Sequence, residues 1–183
     1  VTGCITGGNN SGNGGGIYMA GSSVKCTIKG GCISGNRTAG NGGGIVTHGT
    51  TNGDFMITGG KITGNSAANG GGIYCTMCCD GISNCIIQGN TATTYGGGIY
   101  SDYGGGIPLG GATVVSGNAH GANAVASTTG GATIGEGGAA DNLYLTSDTT
   151  VCCLTDAAVL TTGAPTGVTT QTGPAPTPPF ALT

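Results

Sequence analysis

The chain has 183 residues, of which 43 are glycine and 6% are charged, with a formal net charge of −3. So little charge excludes binding to nucleic acid through a basic surface. So much glycine excludes a helical bundle, because each glycine inside a helix costs about 1 kcal/mol relative to alanine. Apolar runs of only a few residues exclude a membrane-spanning helix, which needs about 20, and a small net charge with slightly positive mean hydropathy speaks against disorder. What remains is a glycine-rich, all-β chain.

Taken in chain order, two landmarks recur. Ile5-Thr6-Gly7-Gly8 opens the first unit, and Gly14-Gly15-Gly16-Ile17 follows it within the same unit. The same pair returns as Ile33-Ser34-Gly35-Asn36 with Gly42–Ile45, as Ile62-Thr63-Gly64-Asn65 with Gly70–Ile73, and as Ile87-Gln88-Gly89-Asn90 with Gly96–Ile99. Val115-Ser116-Gly117-Asn118 repeats the first landmark once more. The isoleucines after the triple glycines stand at positions 17, 45, 73 and 99, two equal steps and then a slightly shorter one. Between units lies a third apolar stretch: Val24–Ile28, then Phe55-Met56-Ile57, then more weakly Ile82–Ile87.

Short segments of alternating apolar and polar residues bounded by turn residues read as half-buried strands. Three such strands cannot bury one another within a single unit, but stacked units can. The pattern therefore predicts an all-β, right-handed parallel β-helix, a solenoid of about six coils of about 28 residues with three short strands per coil. At about 4.8 Å per coil it would form a rod roughly 30 Å long. Ile5, Ile33, Ile62, Ile87 and Val115 would make one interior ladder, and Ile17, Ile45, Ile73 and Ile99 another. Asn36, Asn65, Asn90 and Asn118 would stack as an amide ladder, with asparagine tolerating a left-handed turn. Tyr18, Val46, Tyr74 and Tyr100 should point outward by alternation, as surface aromatics packed on one another or as a glycan-stacking platform.

After about residue 120 the repeat decays, with strand-like remnants at Gly130–Ile134 and Leu143–Leu145. The expected division is residues 1–145 as β-helix and 146–183 as a C-terminal cap with an extended Thr/Pro-rich tail. Nine cysteines stand at positions 4, 26, 32, 75, 78, 79, 85, 152 and 153. Cys4 and Cys32 each precede a ladder isoleucine in successive units, and stacking would bring them within disulfide range. Cys26, Cys75, Cys78, Cys79, Cys85, Cys152 and Cys153 are further disulfide candidates. Zinc at Cys75-x-x-Cys78 with Cys79 and Cys85 is the alternative, although that spacing is not a standard ligand pattern. Disulfide-rich, charge-poor chains suit an oxidising, extracellular setting, and the odd count leaves at least one thiol free or paired between chains.

Parallel β-helices also carry polysaccharide-cleaving enzymes, which makes carboxylate pairs worth locating. Asp54 and Asp80 are close to one repeat apart and could meet on neighbouring coils, yet they read equally as turn residues. Arg37 is the sole arginine, Lys25, Lys29 and Lys61 fall elsewhere in the repeat, and His48 and His120 have no acid beside them in sequence. No Ser/His/Asp grouping appears, and the triple glycines lack the Lys-Ser/Thr of a phosphate loop. Threonines do not recur in one phase, which argues against an ice-binding array. The expectation is a protein without catalytic residues, cofactor or metal.

The unit Gly-Gly-x-Ile-Thr-Gly-Asn followed by Gly-Gly-Gly-Ile-Tyr resembles bacterial cell-surface proteins of the right-handed β-helix repeat class, such as polymorphic outer-membrane passenger domains and repeat adhesins. The likeness covers roughly residues 1–145, without the companion Phe-x-x-Asn motif, and Asp141–Leu145 resembles the strand after the last repeat of such proteins. It implies an extracellular or cell-surface, non-enzymatic role. The expected function is a subunit that stacks end to end into a filament, its partner being itself, with the tail bridging subunits. An adhesin or stalk binding glycans or host surfaces is the alternative, and a polysaccharide-acting enzyme is third. Residues 1–24 carry no charge to blunt a β-edge, and a start at Val1 rather than Met is what would be expected of a processed, secreted product.

Overall fold

The structure, a computed structural model, describes residues 3–21, 23–49, 55–76, 79–103, 107–121, 139–140, 143–145 and 168–170. It is a parallel β-solenoid of roughly four turns of about 28 residues, with four stacked sheets. Among the described residues there is no helix long and apolar enough to cross a membrane.

The first sheet stacks Cys4–Thr6, Cys32–Ser34, Gly60–Thr63, Cys85–Gln88 and Val114–Ser116, all parallel. Its register places Ile5 on Ile33, Ile33 on Ile62, Ile62 on Ile87 and Ile87 on Val115. The third sheet runs through Ile17–Ala20, Ile45–His48, Ile73–Cys75, Ile99–Ser101, Leu143–Leu145 and Val168–Thr170. Its inward column is Ile17, Ile45, Ile73, Ile99 and Leu143. The fourth sheet, Cys26–Ile28, Phe55–Ile57, Gly81–Ser83 and Leu109–Gly110, closes the core with Phe55, Ile57, Ile82 and Leu109. Branched side chains stacked at one rung spacing leave no gap, so Ile45, Ile62, Ile73, Ile87 and Ile99 are all buried.

Each coil holds four strands rather than three. The second sheet, Asn9–Asn10, Arg37–Thr38, Ser66–Asn69, Thr91–Tyr95 and Ala119–His120, falls in the polar spacers that read as turns. Its inward positions are filled by Ala67 and Ala92, too small to give an apolar alternation. Backbone pairing to the neighbouring coils makes these strands. The described residues complete roughly four turns, fewer than the six expected, because 122–138 and most of 146–183 lie outside them. The expected strand at Gly130–Ile134 and the rest of the tail lie outside the described residues, whereas Val168–Thr170 extends the third sheet. Ala139–Ala140 pairs antiparallel with Ala119–His120 and ends the second sheet.

The corners explain the glycines. Gly42 has φ +68°, and a side chain at Gly43 would meet the Gly71 carbonyl oxygen of the next coil at 2.5 Å. The asparagine ladder lies between the first and second sheets, its amides against the last glycine of each triple, and is buried. Asn36, Asn65 and Asn90 each donate both N–H and Nδ2 to the Oδ1 of the asparagine one coil on, at 2.9–3.0 Å. Each amide also donates back to a ladder carbonyl: Asn36 to Ile5, Asn65 to Ile33, Asn90 to Ile62 and Asn118 to Ile87. The ladder asparagines do not take the left-handed turn expected of them. The glycine before each does, as at Gly35 and Gly64, which frees the amide to point inward.

Candidate functional site

Two surfaces gather the side chains singled out in the sequence. The first is the outer edge of the first coil. Cys4–Thr6, Asn9–Asn10, Ile17–Ala20 and Cys26–Ile28 each end their sheet and pair on one side only among the described residues. Ladder side chains that are buried in later coils are uncovered here. Ile5 is 42% exposed where Ile33 is 4%, and Ile17, Cys26 and Ile28 are only half-buried. Tyr18 and Val24 add further exposed apolar surface, at 49% and 36%. The amide ladder also stops at this edge. Gly8 stands where later coils have asparagine, and its N–H donates to Asn36 Oδ1 at 3.0 Å.

Cys4 and Cys32 form a disulfide across the first two coils, with their Cα atoms 4.6 Å apart. Fastening a loop with sequence separation 28 removes enough unfolded-chain entropy to contribute roughly 3–4 kcal/mol. The bond sits outside the core, Cys4 being exposed and Cys32 half-buried. Cys26 and Cys85 are thiols, a correction to the expectation that they are bridged. Both face the core at positions where no second cysteine lies opposite, Cys26 against Phe55 and Cys85 against Gly60. Burial pushes the Cys85 thiol up to about 12, which keeps it protonated and unreactive. Cys75 and Cys79 are buried in the core cluster. Cys78, Cys152 and Cys153 lie outside the described residues. Among the described residues, no three His, Cys, Asp or Glu side chains converge as a metal site.

The second surface is the outer face of the third sheet. Tyr74 and Tyr100 stack with ring centroids 4.9 Å apart, Tyr100 and Tyr144 at 5.2 Å, and Tyr144 and Tyr95 at 4.4 Å. Val46, expected to be exposed, is 1% exposed. Its isopropyl group packs against the Gly42 corner between the rungs of Tyr18 and Tyr74. The inner rings, Tyr100 and Tyr144, are stacked on both sides and offer only edges to a sugar ring, whereas Tyr95, at the end of the stack and on the second sheet, is 41% exposed. Alongside it His48 Nδ1 lies 3.2 Å from Thr76 Oγ1. Asp102, whose N–H donates to the Cys75 carbonyl, occupies the following rung. No motif hinted at this meeting, because it depends on register across three coils. Asp80 is exposed, and Asp54 lies outside the described residues, as does any pairing of the two. His120 stays apart from His48 and tilts against Tyr95 at 5.8 Å.

Burial, with the Asp102 carboxylate second, raises the Tyr74 phenol above its ordinary value of 10. Burial, then Tyr74, Asp102, Tyr144 and Tyr95, pushes Tyr100 up to about 12. A folded-state pKa above the unfolded one contributes stability that is complete below the unfolded value and lost as pH climbs through the folded one. The fold is therefore expected to lose stability between about pH 10 and 12. The check is phenolate absorbance followed with circular dichroism, and Tyr100→Phe should narrow that loss. Equal alkaline sensitivity in the variant would dissociate the phenol column from it.

Neither a protein-family model, nor a curated protein, nor a solved structure matches this chain.

Proposed function

We propose that the protein is a non-enzymatic structural subunit of an extracellular or cell-surface assembly, and that copies stack end to end through the outer edge of the first coil. The observation that carries this reading is the uncovered edge: four aligned strands with unfilled pairing capacity among the described residues, exposed ladder apolar groups, and no charge in residues 1–24. Unblunted edges of this kind pair with further strands. Every strand in the first coil runs parallel to its neighbour, so a coil that continues the lattice arrives head to tail. A head-to-tail contact does not close on itself and propagates as a filament. Val114–Ser116 and Leu109–Gly110 end their sheets at the far side among the described residues and supply complementary edges. The disulfide supports an oxidising environment, and the repeat's resemblance to bacterial surface solenoids supports the same placement.

Negative-stain microscopy and sedimentation of the purified chain test this. Filaments or higher oligomers are expected, and Ile5→Lys, which places a cation on the half-exposed edge, should reduce them to monomer with little change in thermal unfolding. A chain that stays monomeric at high concentration would refute the stacking reading.

An adhesin or stalk segment is the second reading. Tyr18, 49% exposed and outside the stacked column, favours it as a free ring for sugar contact. Glycan binding that Tyr18→Ala abolishes, by a chain that never assembles, would favour this reading.

A further inference from the structure

The Cys4–Cys32 bond lies where the solenoid is otherwise held most weakly. Residues 3–13 are almost wholly exposed, their one ladder side chain, Ile5, is 42% exposed, and Cys4–Thr6 and Asn9–Asn10 pair on one side only among the described residues. Besides the ladder bonds of its two short strands, backbone N–H groups of the second coil donate to this segment, Cys32 to Gly3, Arg37 to Gly8, Ala39 to Asn10 and Gly40 to Gly12, at 2.7–3.2 Å. Thr38 Oγ1 to Asn10 and Gly12 and the Asn41 N–H to Asn13 add side-chain bonds. The segment's own Gly8 N–H reaches back to Asn36, and the Asn36 amide reaches Ile5. Gly14–Ala20, by contrast, is tied through the triple glycine and a four-residue strand.

The surroundings of the sulfurs suit exchange chemistry. The bond opens onto a groove of about 450 Å³ lined by Cys4, Gly31, Cys32, Gly60, Lys61 and Asn84, with Ile86 at its end. The stacked glycines leave its floor without side chains. Cys4 is exposed and approachable. Cys32 Sγ lies 3.5 Å from Ser34 Oγ, and Lys61 occupies the next rung of the same outward column. A hydroxyl donor and an ammonium beside a sulfur stabilise it as a thiolate, which makes it the better leaving group.

We propose that Cys4–Cys32 is a reducible latch, opened by a dithiol reductant, that holds residues 3–13 on the second coil. One thiolate of the dithiol attacks Cys4 Sγ, forming a mixed disulfide and expelling Cys32 as thiolate toward Ser34 and Lys61. The second thiol of the reductant, deprotonated, then displaces Cys4. The reductant leaves as its own disulfide and the protein gains two electrons and two protons, ending with two thiols. Once the bond is open, the segment detaches from the second coil. Because that segment forms part of the edge assigned above to stacking, reduction also abolishes assembly, a consequence that rests on the proposed function.

The test treats the native chain with dithiothreitol, traps thiols by alkylation and follows amide exchange by mass spectrometry. Cys4 and Cys32 should be alkylated in the folded protein while Cys85 stays protected. Peptides carrying the amides of Cys32, Arg37, Ala39 and Gly40 should exchange about tenfold faster or more, with those carrying Ser66 and Thr91 unchanged. Lys61→Gln should slow reduction several-fold without altering exchange in the oxidised protein. A bond that resists dithiothreitol until the chain is denatured overturns the proposal, as does reduction that leaves the four amides protected. An unchanged reduction rate in Lys61→Gln overturns the part assigned to the ammonium. Faster exchange in a chain that never assembled would uphold the latch and refute the stacking function. Assembly that survives segment release would refute the link between the two.

Discussion

Replacing Ile73 by aspartate is expected to abolish folding at neutral pH. Ile73 is 1% exposed, paired with Ile45 on one coil and Ile99 on the next. The variant loses the burial of an isoleucine side chain, roughly 1.5–3 kcal/mol, and places an unpaired carboxylate among methyl groups. The effective penalty for such a charge is several kcal/mol, or else the group stays protonated at about 1.4 kcal/mol for each pH unit above its ordinary value. Against a typical total stability of about 5–15 kcal/mol the combined loss is decisive. Circular dichroism and limited proteolysis should report an unfolded chain at pH 7, with partial recovery in acid as the carboxyl is neutralised. Ile73→Val, which removes one methylene, should cost only about 0.5–1.5 kcal/mol. A folded Asp variant would mean that the interior column is misassigned.

The second large effect is expected at Asn65. Its Oδ1 receives the Asn36 N–H and Nδ2, and its Nδ2 serves the Ile33 carbonyl and Asn90 Oδ1, all buried and at 2.9–3.0 Å. Alanine at this site orphans two donors and one acceptor at once. Each buried orphan costs about 1–3 kcal/mol, and with partial entry of water the net loss should be about 3–5 kcal/mol. Asn36→Ala should cost clearly less, because its partners Gly8 and Ile5 belong to the exposed first coil. Urea midpoints for the two variants provide the comparison. Equal losses would show that the ladder's contribution does not depend on its burial.

The contrast between these two sites and the edge shows what a single sequence conveys about a solenoid. Ile33, Ile62 and Ile87 were readable because one side-chain type recurs in one phase, and the asparagines because they follow at a fixed offset. The second sheet was hidden. Arg37, Ser66 and Thr91 share a column without sharing chemistry, since a strand fixed by backbone pairs to both neighbours needs no pattern of its own. The Cys4–Cys32 contact followed from counting residues, whereas the thiol state of Cys26 and Cys85 depended on what lies opposite them. Val46 points outward yet is buried, because alternation tells which way a side chain points and not whether neighbouring rungs cover it. The approach of His48 to Thr76 depends on register alone, a quantity that variable corner lengths conceal.

The amide column has a consequence for the molecule's symmetry. Along the ladder, Oδ1 accepts from the asparagine of the earlier coil and Nδ2 donates to that of the later one, besides its bond back to a ladder carbonyl, so the amide-to-amide bonds all run in one axis direction. Turning the Asn65 amide end for end would set its Nδ2 hydrogens against the N–H and Nδ2 of Asn36, donors facing donors. Its oxygen would face the Ile33 carbonyl and Asn90 Oδ1, acceptor against acceptor. No member can reverse alone, and each aligned neighbour polarises the next. The column therefore behaves as a single orientational unit whose sense is set once for the whole rod, and it distinguishes one end of the solenoid from the other even where the stacked isoleucines look alike.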